Sequence, residues 1–222
     1  MKTFAALALL TLTLSSYASE PIGWYNHGSL IDAECMPEGG DGFEVIQLSR
    51  DVGHIFGTTE MVKMLKGTAA DMKKLFPNLD RMQIEDIAAQ NGGHIDPHGS
   101  HQNGQDVDIE YFKKDAQEFV STSAQPYAPS MVQEDGSVSA NFDLKRNWEV
   151  MKSLHRHGDV QMIFIDQKLK NSLIDYAREI GEYIPNLKVI QSLHHVENHQ
   201  DHFHVRLNCP ADAKSCHSTT KK

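Results

Sequence analysis

The sequence predicts a single α+β domain with an antiparallel sheet core flanked by helices. Three observations carry that expectation. Residues 107–111 (VDIEY) and 202–207 (HFHVRL) alternate apolar and polar side chains with the period of half-buried strands. Three longer stretches, 59–76, 141–157 and 166–180, carry apolar residues at helical spacing behind capping residues. Strands and helices do not alternate strictly, and strand segments gather around two histidine-rich windows, which is the α+β pattern rather than a doubly wound one.

Taken in order, residues 1–18 open with one lysine, run apolar from Phe4 to Leu14 and end in Ser16-Tyr17-Ala18. This is the layout of a signal peptide cleaved after Ala18, leaving 19–222 as the domain. The run is too short to span a bilayer, and no later segment is long enough. Residues 20–42 are rich in Gly, Pro, Asn and acids and read as irregular surface chain. Residues 43–48 read as a strand, and 51–57 as a turn-rich connection. Thr58 or Thr59 caps a helix with Met61, Met64, Leu65, Met72, Leu75 and Phe76 on its apolar face, stopped by Pro77. Residues 82–89 read as a strand leading to Gly92-Gly93. Residues 113–139 form a polar excursion too long for a plain connection, which suggests a functional rim loop. Asn141 or Asp143 caps a helix bearing Trp148, Met151 and Leu154. Residues 160–165 (VQMIFI) are a buried-type strand, 166–180 a helix stopped at Gly181, and 187–190 another strand.

The formal charge of the chain is −9, and no basic face shows in the sequence, so a general nucleic-acid binder is disfavoured. Of 13 histidines, His94, His98, His101, His194, His195, His199, His202 and His204 fall in two short windows. His54, His155 and His157 read as surface or capping residues. Cys209 and Cys216 bracket CPADAKSC and can close a disulfide in an oxidising compartment, with a stabilisation of roughly 2–3 kcal/mol in the chain-entropy picture. A second metal site from these thiols and His217 is the thinner alternative. Cys35 is left over.

The windows HIDPHGSHQNGQDVDIEY (94–111) and HQDHFHVRL (199–207) read as two halves of one metal site. Gly104 lets the chain turn between His101 and the strand bearing Asp108. On that strand Val107, Ile109 and Tyr111 share the apolar face, and Asp106, Asp108 and Glu110 share the other. His202 and His204 project the same way, with Cα atoms about 6–7 Å apart. His101, Asp108 and His204 thus form a three-ligand set that suits zinc with an open coordination position. His202 stands beside the metal as a candidate base for a metal-activated water. His98 and His199 are further imidazoles, either of which could donate to the oxyanion as a tetrahedral intermediate forms. Asp106 and Glu110 flank Asp108 and can orient ligand imidazoles. His194 and His195 can line the site or face outward.

Gly92-Gly93-His94, His98 to Ile109, His202 to Leu207, and Cys209-Pro210-Ala211-Asp212 with Cys216 together resemble the penicillin-insensitive murein endopeptidases. These belong to the wider zinc-peptidase group of lysostaphin-type enzymes, D-Ala-D-Ala carboxypeptidases and hedgehog domains. The resemblance runs from about Gly28 to Cys216. It implies zinc on His101, Asp108 and His204, His202 as base, and His98 and His199 as active-site histidines. It also implies a periplasmic enzyme cutting peptidoglycan cross-links between D-alanine and meso-diaminopimelate. Some members carry a further metal position from Asp-Gly-x-His; here Asp135-Gly136-Ser137-Val138 lacks the histidine, so one zinc is expected. The family's longer C-terminal extension, with its extra cysteine, is also missing. Two other readings stand beside it. One is a zinc D,D-carboxypeptidase, for which Arg206 is a candidate carboxylate binder. The other is a non-catalytic metal-containing binding domain of the same fold.

Overall fold

The computed structural model describes residues 19–122 and 124–218; the signal-peptide reading and its cleavage point lie outside them. The chain forms β1 (Glu20–Trp24), β2 (His27–Ile31), β3 (Glu34–Cys35), β4 (Gly39–Gly40), β5 (Phe43–Val45) and α1 (Gln47–Val52). It continues through β6 (Phe56–Gly57), α2 (Thr59–Leu75), β7 (Met82–Ile84), β8 (Asp106–Glu110), α3 (Leu144–His157) and β9 (Val160–Ile165). It ends with α4 (Gln167–Glu179), α5 (Leu187–Ser192), β10 (Leu193–His195) and β11 (His202–Leu207).

The main sheet has seven strands in the order β10-β9-β11-β8-β7-β5-β4. The expected antiparallel core is present at the centre, where β11 pairs antiparallel with both β8 and β9. The pairs β10/β9 and β5/β7 are parallel, so the sheet as a whole is mixed. The inward face of the central pair carries Val107, Ile109, Phe203, Val205 and Leu207. These join one core with Met61 and Leu65 of α2 and Trp148, Met151 and Leu154 of α3. At roughly 1.5–3 kcal/mol for each fully buried large apolar side chain, this face holds the central strands as a rigid platform. The opposite face of the same two strands carries the polar residues of both windows.

The helix caps follow the sequence reading. Thr58 accepts from the Met61 amide at the start of α2, Asp143 from Arg146 at α3, and Asp166 from Lys168 at α4. The Thr59 amide donates to Ser19 Oγ at 2.6 Å, tying the start of the domain to α2.

Three segments differ from the sequence reading. Residues 20–42 are not irregular: β1 and β2 make an antiparallel hairpin, and β3 pairs with β6. The strands are short and half-exposed, so no apolar alternation marks them, and the hairpin is also held by remote segments. The Gln102 amide donates to Tyr25 O (3.1 Å), and the Leu30 amide to Asn91 O (3.0 Å). Residues 187–190 are helical rather than extended, since a four-residue apolar run fits either state and Val189 and Ile190 are buried from α5. The strands expected over 43–48 and 82–89 shorten to β5 and β7, and α1 takes up 47–52.

Cys209 and Cys216 are joined, with S–S 2.07 Å, directly after β11. The bridged loop is fixed in turn to β1, where the Gly23 amide donates to Ser215 O (2.8 Å) and the His217 amide to Gly23 O (2.8 Å). Cys35 is free and exposed. No described helix is long and apolar enough to cross a membrane.

Candidate metal centre

The register of β8 against β11 assembles the site. His204 lies opposite Asp108, His202 opposite Glu110, and Arg206 opposite Asp106. His101 arrives from the preceding loop with a left-handed backbone, φ 65°, a conformation that costs a non-glycine residue of order 1–3 kcal/mol and that gathers at functional sites. The turn that follows needs Gly104. At φ 72°, a Cβ there would lie 2.7 Å from Leu30 Cδ2 and 3.0 Å from the Thr58 amide nitrogen.

Hydrogen bonds fix the tautomers of both ligand-type imidazoles. His101 Nδ1 lies 2.9 Å from the Ile87 carbonyl, which can only accept, so Nδ1 carries the proton and Nε2 is bare. His204 Nε2 donates to Asp106 Oδ1 at 2.7 Å, leaving Nδ1 bare in the neutral ring. These bare nitrogens face each other at 3.1 Å. Asp108 closes the triangle, with Oδ2 3.3 Å from His101 Nε2 and Oδ1 3.1 Å from His204 Nδ1. Asp108 Oδ1 is buried and finds no well-aligned donor. Burial would lower the pKa of His204, but Asp106 and Asp108 outweigh it and raise it, so this buried space draws a cation, a proton in the metal-free chain or a metal ion. This donor set therefore fits a metal ion.

A second combination shares two of these residues. Ligand atoms of His98, His101 and Asp108 lie within 4.8 Å of one another, and His98 Nδ1 is 3.6 Å from Asp108 Oδ2. The shorter distances favour His204 over His98 as the third member.

Asp106 supports the set from behind. It accepts from His204, from the His101 amide (3.2 Å) and from Arg206 Nε (2.7 Å). Burial alone would raise its carboxyl, but His204, Arg206 and His101 outweigh burial and hold it well below the ordinary carboxylate range. Arg206 is buried, with its guanidinium 3.5 Å from the Tyr25 ring centroid and 5.0 Å from that of Phe164. It shares the face of His204, as alternation requires, but it is committed to Asp106. Replacing Asp106 by alanine strands that guanidinium between two aromatic rings, and a loss of about 3–5 kcal/mol is expected for breaking a buried pair from one side. Urea unfolding checks this, and a loss under about 1 kcal/mol would show that the pair contributes little.

The remaining histidines divide sharply. His202 Nδ1 lies 2.7 Å from Asp201 Oδ1, and Nε2 points to Asp108 at 3.8 Å. Burial pushes this imidazole down, yet Asp108, Asp201 and Glu85 overcome that and raise it to about 10 in the metal-free chain. His199 Nδ1 donates to Glu197 O (2.8 Å), and its ring stands 5.0 Å from that of His202. Burial and then His202 lower its pKa. His98 Nε2 is bound by Asp86 at 2.9 Å. In their neutral forms His98 and His199 therefore offer bare nitrogens to the site and act as acceptors. His94, His194 and His195 are exposed, and His157 pairs with Asp71 at 3.0 Å. Glu110 orients no imidazole: it pairs with Lys113 at 3.5 Å, and burial pushes it up to about 7.

Beside the centre, a cavity of about 190 Å³ runs between α1 and the 113–139 segment. Leu48, Val52, Pro97, Pro126 and Tyr127 supply apolar walls, and His98, Asp108 and His202 lie at its floor. The 113–139 segment borders the cavity through Pro126 and Tyr127 and is held by side-chain tethers. Arg81 donates to both Glu118 oxygens (2.8 and 2.5 Å), and Gln83 exchanges two hydrogen bonds with the Phe119 backbone. Asp135 is turned to Ser137 at 2.8 Å within an exposed loop.

Sequence reasoning missed Asp86 and misplaced His54. Both line the cavity, with His54 Nδ1 3.3 Å from Asp86 Oδ2. His155, expected at the surface or a cap, is half-buried against Ser192 (2.8 Å), and burial lowers it to about 4.

A single α+β domain with two buried imidazoles and a carboxylate converging beside a walled cavity is the arrangement that a metal-centred hydrolase requires. Residues 21–222 match the family described as penicillin-insensitive murein endopeptidase. The chain belongs to that family and is a peptidase of it. It is 29% identical over 200 residues to the penicillin-insensitive murein endopeptidase of Haemophilus influenzae, covering 89% of this chain and 66% of the relative. It is 24% identical over 236 residues to the protein of that name from Escherichia coli O157:H7 strain EC4115, covering 95% and 80%. To the one from Escherichia coli strain SE11 it is 25% identical over 239 residues, covering 97% and 81%. The chain thus spans about two thirds of the length of the Haemophilus relative.

Proposed function

We propose that this chain is an exported, zinc-dependent endopeptidase that hydrolyses D-alanyl–meso-diaminopimelyl cross-links of peptidoglycan. Family membership and the names of its relatives support a murein peptide as substrate. The apolar N-terminal run and the disulfide support export, and a periplasmic site of action fits both. One observation carries the metal assignment: His101 Nε2, His204 Nδ1 and the Asp108 carboxylate converge within 3.1–3.3 Å in one buried space.

His101, Asp108 and His204 are the proposed ligands, a borderline nitrogen and oxygen set that suits zinc. Zinc bound there supplies Lewis-acid polarisation of a carbonyl and a water whose pKa falls from about 15.7 towards 7. His202 is the proposed base. Asp201 fixes its Nδ1, and Nε2 is turned to the centre, where a proton must be taken. His98 and His199 border the same space as hydrogen-bond acceptors for a water or for the peptide N–H groups of the substrate.

The cavity bears on which bond is cut. The described residues lining it include no lysine or arginine, and Arg206, the sequence candidate for binding a terminal carboxylate, is committed to Asp106. A wall without lysine or arginine among its described residues favours an internal amide over a chain end. Digestion of purified peptidoglycan tests this, with products identified by mass. Cross-linked dimers are expected to fall to monomers, with cleavage blocked by chelator and restored by zinc. Release of D-alanine from uncross-linked pentapeptides would instead establish a carboxypeptidase, and unchanged dimers would overturn the peptidase reading.

A further inference from the structure

We infer that Asp86 is a positioning residue that fixes His98 with its Nδ1 lone pair aimed at the metal centre, and that Ser49 holds Asp86 for this task. Nothing in the local sequence marks Asp86, which follows β7 and precedes His98 by 12 positions. Its backbone is bolted on both sides. Asp108 donates its amide to Asp86 O (3.0 Å), Glu85 donates to Asp108 O (2.9 Å), and Ile87 donates to His54 O (2.8 Å). Its carboxylate is therefore held in register with the strand that carries Asp108.

Three groups converge on that carboxylate. His98 Nε2 lies 2.9 Å from Oδ2 and the Ser49 hydroxyl donates to the carboxylate, whereas His54 Nδ1 lies 3.3 Å from Oδ2 without an aligned hydrogen bond. Ser49 is the buried residue of α1, so the short helix that walls the cavity turns one polar side chain inward, onto Asp86. A carboxylate can only accept. Binding His98 Nε2 therefore selects the Nε2–H tautomer and leaves Nδ1 bare, 3.6 Å from Asp108 Oδ2, with the His98 and His101 rings 4.4 Å apart. Without Asp86, the proton of neutral His98 is free to move to Nδ1, where Asp108 would attract it. The face turned to the centre would then be a donor instead of an acceptor. Asp86 decides which.

The tautomer does not depend on which peptide is cut; only the activity arm of the test rests on the proposed function. Histidine-labelled, metal-free protein is examined by two-bond ¹H–¹⁵N correlation, which reports which ring nitrogen carries the proton. Wild type is expected to show His98 as Nε2–H. Asp86→Leu is expected to shift it towards Nδ1–H, while Asp86→Asn, which keeps an acceptor oxygen, retains the wild-type pattern. In zinc-loaded protein, Asp86→Leu is expected to lose about 10–100-fold in cross-link cleavage, the usual loss when a partner that orients a site imidazole is removed. Zinc content is expected to stay at one, Asp86→Asn to recover most of the rate, and the Asp86→Leu/His98→Gln double variant to be no slower than His98→Gln alone. If Asp86→Leu fails to fold, Ser49→Ala provides the milder variant, with the same direction of tautomer change. An unchanged His98 tautomer in Asp86→Leu (or in Ser49→Ala, where that stands in), or losses that multiply in the double variant, would overturn the inference. If wild type cleaves no cross-link but shows the expected tautomers, the proposed function fails while the positioning role stands.

Discussion

Alanine at His101, Asp108 or His204 is expected to release the metal and to reduce cross-link cleavage to the level of chelator-treated wild type. Each residue occupies one corner of a triangle whose sides are 3.1–3.3 Å, and each is fixed by a different element. Two ligands cannot replace the third, because the donor set is already at the minimum for a hydrolytic zinc. The loss exceeds that of any single acid or base, since the proposed metal shifts the pKa of a water by about 8–9 units. Asp108→Asn separates metal loss from unfolding. It keeps the side-chain volume and removes one negative charge from a place where His101, His202 and His204 outweigh burial to hold the carboxyl well below its ordinary range. Metal analysis by mass spectrometry and a circular dichroism melt on the same samples complete the test. Stoichiometric zinc in Asp108→Asn together with wild-type cleavage would show the ligand assignment to be wrong.

The triangle was legible in the sequence because its geometry is local. A period-two alternation puts Asp106 and Asp108 on one face of their strand and His202 and His204 on one face of theirs, and Gly104 announces the turn that returns His101 to them. The antiparallel register that sets His204 opposite Asp108 then completes what two separate windows only suggest. What was not legible depends on contacts across the chain. Asp86 and His54 meet His98 through loops that carry no periodicity, and His54 looked like one more turn histidine. The β1–β2 hairpin hides in polar, half-exposed residues because its task is to cover Arg206 and the 91–103 loop rather than to bury its own apolar face. Tyr25 at its tip stacks on Arg206, so an apparently irregular segment closes the back of the site. Glu110 shows the limit of pattern alone. It shares the face of Asp108, but its nearest charged partner is Lys113, and no imidazole is oriented by it.

His202→Ala is expected to keep one zinc and the wild-type fold while losing about 10²–10⁴-fold in turnover, the usual contribution of a positioned general base. The three proposed ligands do not include His202, whose Nε2 is 3.8 Å from Asp108 and whose Nδ1 is anchored by Asp201. Its charge state gives the test a second readout. In the metal-free chain the ring is raised to about 10, because Asp108, Asp201 and Glu85 outweigh burial, so it is an imidazolium at neutral pH. A base must be neutral when it takes a proton. A dication among His101, Asp108 and His204 offsets the Asp108 charge and thus weakens the upward pull on His202. In the zinc-loaded wild type, kcat/KM is therefore expected to rise with pH as His202 loses its proton, and that rising limb should disappear in His202→Ala. If His202 were a fourth ligand, the variant would lose zinc; if it only packed, the variant would melt earlier yet cleave normally at low temperature. Wild-type turnover with full zinc and an unchanged pH profile in His202→Ala would remove the ring from the mechanism and shift the role of base to another acceptor at the floor of the cavity, His98 or His199.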